Sequence, residues 1–173
     1  MQDIVDSARK FAVKAHGSQT RKYEKLPYTV HLDRVVAILR EEGVSNSNII
    51  AAAFLHDVVE DTDYTIQNIV DEFGQHVAEL VYWLTDAEKG TRQSAWRLGR
   101  APFSAKLITL ADLTDNTDSI VQHDPEFAKL FLREKAALLQ QMAAREGERI
   151  TRLPLFKRAS ANPLKVVDSS QRL

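Results

Sequence analysis

An apolar run from Ile49 to Leu55 stops abruptly at His56-Asp57, and Glu60-Asp61 follow at once, in the segment AAAFLHDVVEDTD. Read as one helix with its body from Ile49 to Val59, the segment sets four ionisable groups directly on top of buried turns. His56 and Glu60 then share one face at i and i+4, and Asp57 and Asp61 share another. Carboxylates at the edge of a core are costly unless they gain hydrogen bonds or a cation. Taken alone, a His-Asp dipeptide is a hydrogen-bonded pair at a helix end, so the rest of the chain decides what this one is.

That rest reads as all-α. Ile4, Ala8, Phe11, Ala12 and Ala15 recur at helical spacing, and His16-Gly17 ends the stripe. Residues 17–27 are polar and read as a loop. Tyr28 to Glu42 resumes the helical period, and Gly43 closes it. Asn46 or Ser47 caps the third helix, and Thr62 to Thr65 is a turn. Thr65 then caps a helix that buries Ile66, Ile69, Val70 and Phe73. Gly74 separates this from a helix carrying Val77, Leu80, Val81 and Leu84. Residues 86–104 are polar, basic and helical. Ala105 to Leu113 is apolar apart from Lys106, Thr109 and Asp112. Pro125 opens a helix to about Ala144 with Phe127, Leu130, Phe131, Leu138 and Leu139 inward. The expectation is one domain over residues 1–149. A tail over 150–173 packs as short helices, crosses a partner or stays mobile.

Composition narrows the chemistry. The 173 residues include no cysteine, which removes disulfides, thiolate metal sites and a cysteine nucleophile, and fits a reducing cytoplasm. No apolar run is long enough to span a bilayer and no secretory signal is visible, so the expected setting is cytoplasmic, with no membrane partner. A net charge of −1 argues against a nucleic-acid partner. The balance conceals a polarity: residues 1–40 carry +4, residues 41–90 carry −10 and residues 91–173 carry +5. An acidic middle between basic flanks suits a metal site that receives an anionic ligand, and equally suits unevenly charged solvated helix faces.

Two further segments raise the odds for a metal. His31 lies in PYTVHLD at the start of the second helix. Asp112 lies in LITLADLTDN, again where an apolar stretch breaks at an acid, with Asn116 four residues on. The order His, His-Asp, Asp supplies two imidazoles and two carboxylates from three segments. Such N/O donors suit Mn²⁺, Fe²⁺, Co²⁺ or Zn²⁺ with open positions for water and substrate oxygen.

The motifs FAVKAHGSQTRK, LPYTVHLDRVVAIL, AAAFLHDVVEDTDYT, FGQHVAELVYWLTD and AKLITLADLTDN, spread from about Ala8 to Asn116, resemble those of the HD-domain metal-dependent phosphohydrolases. Within them the chain is similar to the small alarmone hydrolases, which are related to the RelA/SpoT hydrolase domain and to animal Mesh1 proteins. The resemblance implies an HD-type bundle of eight to ten helices. It also implies a Mn²⁺-dependent 3′-pyrophosphohydrolase that takes (p)ppGpp to GDP or GTP and pyrophosphate, as in the stringent response. The positions matching the family's metal ligands are His31, His56, Asp57 and Asp112, and Glu60 and Asp61 match its catalytic acidic pair. Arg21 and Lys22 match a basic pair near the nucleotide, where Arg21 stacks on the base and Lys22 meets phosphate. Tyr28 and Asn116 match positions near nucleotide and ribose. Lys106, and more weakly Arg92, Arg97 and Arg100, are candidates for the 5′ phosphates.

Thr109 departs from the lysine that many relatives carry before this motif, and DLTDNTDSI replaces a basic or aromatic run. These differences keep (p)ppApp open as the substrate and leave the metal set intact. The competing readings are an HD phosphohydrolase of another nucleotide (dNMP or dNTP) and a non-catalytic nucleotide-binding HD module, in either case a monomer or a homo-oligomer. His16 is expected as a dipole-stabilised helix C-terminal residue. His76 and His123 are expected at the surface, and Trp83 and Trp96 in packing.

Overall fold

The computed structural model describes residues 3–86 and 95–161. Eleven helices occupy them, two being single turns: α1 (Ile4–His16), α2 (Thr29–Glu41), α3 (Ser47–Leu55), α4 (Val58–Asp61), α5 (Ile66–Phe73), α6 (Gln75–Leu84), α7 (Ala95–Arg100), α8 (Phe103–His123), α9 (Pro125–Glu146), α10 (Glu148–Thr151) and α11 (Pro154–Ser160). The all-α expectation is met. None of these helices is long and apolar enough to cross a membrane.

Local chemistry sets the boundaries. The Asp3 carboxylate caps α1, the Asn46 side chain accepts from the Asn48 and Ile49 amides at the start of α3, and Thr65 with Asn68 forms a capping box on α5. Gly74 (φ 82°) turns the chain between α5 and α6, a conformation that other residues adopt only under strain. Asp124 accepts from the Phe127 amide ahead of Pro125, in the first turn of α9.

Helix α3 is the hub. Every residue from Ile50 to Leu55 is at most 5% exposed, and α1, α2, α6 and α8 pack around it. It ends earlier than the apolar period suggests. The Ala53 carbonyl, which a continuing helix would offer to the Asp57 amide, instead lies 2.8 Å from Nδ1 of His56. A side chain that takes a backbone acceptor in this way breaks a helix. The chain therefore turns at His56-Asp57 and restarts as α4, so the expected single helix to Val59 is two.

Helix α9 also differs from expectation. Leu130 is 47% exposed, and the buried positions are Ala128, Lys135, Leu139 and Met142. Trp96 is 64% exposed with the Arg100 guanidinium over its ring, so it does not serve as packing. Past residue 149 the chain continues onto the bundle: Ile150, Leu155 and Ala159 are buried, and α11 packs on α8 and α9. Pro163 and Arg92 lie outside the described residues.

Candidate active site

A cleft of about 740 Å³ opens beside α8 and α9, and its floor is the end of α3. His31, from the first turn of α2, and His56 are both buried there. Asp112 comes from α8. One ligand atom each from His31, His56 and Asp112 lie within 4.8 Å of one another. Asp57 joins them, with Oδ2 2.9 Å from His56 Nε2 and 3.7 Å from His31 Nε2.

The imidazole tautomers follow from their outer partners. His56 Nδ1 faces the Ala53 carbonyl, which can only accept. His31 Nδ1 faces an Asp115 oxygen at 2.7 Å. Both rings therefore carry their proton on Nδ1 when neutral, and each Nε2 lone pair points at the same spot. Among the described residues those two buried Nε2 atoms make no hydrogen bond; their near neighbours are carboxylate oxygens, Asp112 Oδ1 at 3.1 Å from His31 and Asp57 Oδ2 at 2.9 Å from His56, which a lone pair cannot bond. Two orphaned imidazole nitrogens beside two carboxylates form a donor set that fits a divalent cation.

The electrostatics agree. Burial disfavours a charged His31, yet Asp112 and Asp115 outweigh it and raise its pKa. Burial likewise opposes a charged His56, and Asp57 and Asp112 raise its pKa well above the usual value. The Asp112 carboxyl is pushed the other way, well below its usual range: the two imidazoles overcome its burial. Positive charge is what this cluster calls for.

Around the floor, each candidate ligand is held by a neighbour. The Tyr28 hydroxyl donates to Asp57 at 2.5 Å, and burial and then Asp57 keep that hydroxyl protonated. The Tyr28 ring stacks on His16. Asn116 Nδ2 donates to Asp112 Oδ1 at 2.7 Å. Tyr28 and Asn116, expected beside nucleotide and ribose, contact Asp57 and Asp112 while also lining the cleft.

Glu60 and Asp61 part company. Glu60 lines the cleft half-buried and accepts from the Asp86 amide at 3.4 Å. Burial, with Asp86 and Asp57 nearby, lifts its pKa to about 7. Asp61 is exposed, does not line the cleft, and accepts from Gln19 at 2.8 Å. Gln19 in turn meets His16 Nδ1 at 2.8 Å. His16 is buried within this relay, not a solvated helix-end cation. His76 and His123 are exposed as expected.

The basic candidates scatter. Lys22 is exposed at the cleft mouth, 3.7 Å from Asp124. Arg21 lines the cleft but is mostly buried, ion-paired to Glu24 and to Asp115 at 3.2 Å. Lys106 does not reach the cleft: it is 2% exposed and pairs with Glu146 at 2.5 Å. Arg97 donates to the Thr85 and Tyr82 carbonyls at the end of α6, and neither it nor Arg100 lines the cleft.

Three residues of the site escape a reading by motif. Asp115 sits three residues past Asp112 and beside Asn116, a helical spacing that marks it as a neighbour of the metal face. Glu24 and Lys135 carry no such signal. Lys135 in particular reads as a surface residue on a polar stretch, yet it is 4% exposed and lines the cleft beside Phe127, Phe131, Ile120 and Leu138.

Known proteins resemble this chain in sequence and in fold. A family model described as an HD domain matches residues 8–148. The guanosine-3′,5′-bis(diphosphate) 3′-pyrophosphohydrolase MESH1 of Xenopus tropicalis is 37% identical over 130 residues, covering 71% of this chain and 73% of that protein. The human protein of the same name is 38% identical, covering 69% and 70%. A solved metazoan ortholog of SpoT, described as hydrolysing ppGpp, shares the fold with a TM-score of 0.80 at 24% identity, covering 100% of this chain and 98% of that one.

Proposed function

Because the chain belongs to the HD-domain family, we propose that its cleft hydrolyses guanosine-3′,5′-bis(diphosphate), releasing pyrophosphate from the 3′ position, with Mn²⁺ as the cation. The observation that carries this reading is the convergence of two partnerless Nε2 atoms and an Asp112 oxygen within 4.8 Å at the floor of the cleft. His31, His56, Asp57 and Asp112 would hold the cation. The chemistry such a cation supplies is a lowered pKa for water and neutralisation of diphosphate charge.

The chain's own residues do the rest. Glu60 borders the floor, and a carboxylate with a pKa of about 7 exchanges a proton readily at neutral pH. It takes the proton of the attacking water as the water oxygen bonds to phosphorus, and returns it to the ribose 3′-oxygen as the bond from phosphorus to that oxygen breaks. Asp61 acts from outside the cleft, through the Gln19 and His16 relay. Lys22 at the mouth faces the polyphosphate, and Phe127 and Phe131 offer apolar surface to the base.

The test is a substrate panel of ppGpp, pppGpp, ppApp, pppApp and dNTPs with Mn²⁺, the products being resolved by anion exchange. GDP and pyrophosphate from ppGpp, abolished in Asp57→Ala, is the expected result. Absence of pyrophosphate from every alarmone would overturn the proposal.

A further inference from the structure

Arg21 is a buried arginine that lines the cleft, and its polar contacts run to its own loop and to α8. Its side chain is 7% exposed. Nε meets Glu24. Nη1 lies 3.2 Å from Asp115 Oδ2 and 3.4 Å from Asn116 Oδ1. The two residues it touches on α8 are the two that hold metal-site groups. Asp115 Oδ2, the oxygen facing Arg21, is 2.7 Å from His31 Nδ1. Asn116 donates its amide to Asp112 Oδ1 at 2.7 Å. Glu24 closes the network, since it also accepts from Arg34 at 2.8 Å, and Arg34 lies 3.9 Å from Asp115 Oδ1.

We propose that Arg21 and Asp115 are positioning residues of the metal centre: Asp115 sets the tautomer and orientation of His31, and Arg21 holds Asp115 and Asn116 together, aligning His31 and Asp112 at once. The physical reason is the geometry of a guanidinium. Its donors lie in one rigid plane, so a single Arg can anchor on Glu24 through Nε and reach Asp115 and Asn116 through Nη1, a span that an ammonium would not match. Asp115 accepts the Nδ1 proton and leaves the Nε2 lone pair for a cation, and without it the ring is free to turn or change tautomer. Both α8 partners reach Arg21 because the loop between α1 and α2 is pinned. Thr20 pairs with Pro27 across an antiparallel bridge, and the Arg21 amide bonds the Leu26 carbonyl at 2.8 Å.

This inference rests on the divalent-cation reading above, and the experiment separates the two. Mn²⁺ affinity is measured by titration calorimetry on the metal-stripped full chain, together with KM and kcat for ppGpp at saturating Mn²⁺. Long-range ¹H–¹⁵N spectra of the metal-free protein, followed upward in pH to the range where His31 is neutral, report its tautomer. Asp115→Asn and Arg21→Met are expected to weaken Mn²⁺ binding by about 10- to 100-fold while KM at saturating metal changes less than about threefold. Asp115→Asn should also mix the His31 tautomers, and the double variant should lose no more than the worse single one. Arg21→Lys should recover only part of the loss. Lys22→Met is the control, raising KM with Mn²⁺ affinity unchanged. A rise in KM in Arg21→Met at unaltered Mn²⁺ affinity would make Arg21 a substrate contact and overturn the clamp. So would a single Nδ1–H tautomer retained in Asp115→Asn with wild-type affinity. Failure of the wild-type protein to bind Mn²⁺ would overturn the proposed function itself.

Discussion

The floor of the cleft and its α8–α9 wall are built in opposite ways. On the floor, polar groups are fixed by other polar groups: Tyr28 on Asp57, Asn116 on Asp112, Asp115 on His31, the Ala53 carbonyl on His56. Along the wall, Lys135 stands among Ile120, Phe127, Phe131 and Leu138. There its ammonium donates to the Thr117 hydroxyl at 3.0 Å. Burial draws its pKa down to about 8 against the pull of Asp118. A preorganised floor suits chemistry, whose geometry must not shift. A greasy wall with a poised cation suits recognition, which tolerates adjustment. Variants on the floor should therefore cost turnover, and variants on the wall should cost affinity for substrate.

The largest break should come from the floor itself. Asp112→Ala removes a candidate ligand and leaves the two imidazoles with Asp57 as the remaining carboxylate. It should cost several kcal/mol of transition-state stabilisation, about a thousandfold in kcat/KM by pyrophosphate release. Removal of metal by a chelator should reproduce the effect in the wild type. Glu60→Gln should lower kcat by about a hundredfold and leave Mn²⁺ binding intact. Its wild-type pH profile should rise through a limb at or below about pH 7, since Glu60 titrates at about 7 and a cation would lower that value. The limb should vanish in the variant.

Stability gives the same residue a second test. A folded-state value of about 7 lies above the ordinary 4.5, so the folded protein holds this proton more tightly than the unfolded chain. That contribution is complete below about pH 4.5 and is lost as pH rises through 7. In metal-free protein, Glu60→Gln should thus raise the melting temperature more at pH 8 than at pH 5. A smaller effect is expected at Tyr28. Tyr28→Phe keeps the ring stacked on His16 and deletes the bond to Asp57, and should cost about tenfold in Mn²⁺ affinity.

What was legible in the sequence follows the same divide. Residues of the floor announce themselves, because an apolar run that breaks at His56-Asp57 or at Asp112 has few physical explanations. The helical period placed the elements well, and it erred where a side chain intervened, as the His56 ring does by taking the Ala53 carbonyl. The supporting residues were legible only in part: Arg21, Tyr28 and Asn116 touch both the floor and the cleft, and sequence spacing carries no information on which they serve. The wall was legible in its apolar residues Phe127, Phe131 and Leu138 but not in Lys135, since a lysine gives no sign in sequence of whether its ammonium is solvated.

The two buried lysines show that last point and offer its test. Lys106 and Lys135 are 2% and 4% exposed, yet they should respond oppositely to the same substitution. Lys106 is ion-paired to Glu146, which Arg149 also approaches at 3.4 Å. Lys106→Met leaves that carboxylate with a poorer partner and should destabilise the fold by about 2 kcal/mol, with kcat/KM within twofold. Lys135 has a pKa drawn below the ordinary 10.5 to about 8, so the folded state binds fewer protons than the unfolded chain between those values. Stability should rise with pH across that window. Lys135→Met removes the desolvated ammonium and leaves Thr117 bonded to the Leu113 carbonyl. It should stabilise the protein at pH 7 by about 1 kcal/mol, flatten its stability profile between pH 8 and 10.5, and raise KM for ppGpp about threefold at unchanged kcat. Equal destabilisation by both substitutions, read from thermal melts at pH 7 and pH 9.5, would show that the wall is as tightly partnered as the floor and remove the distinction between them.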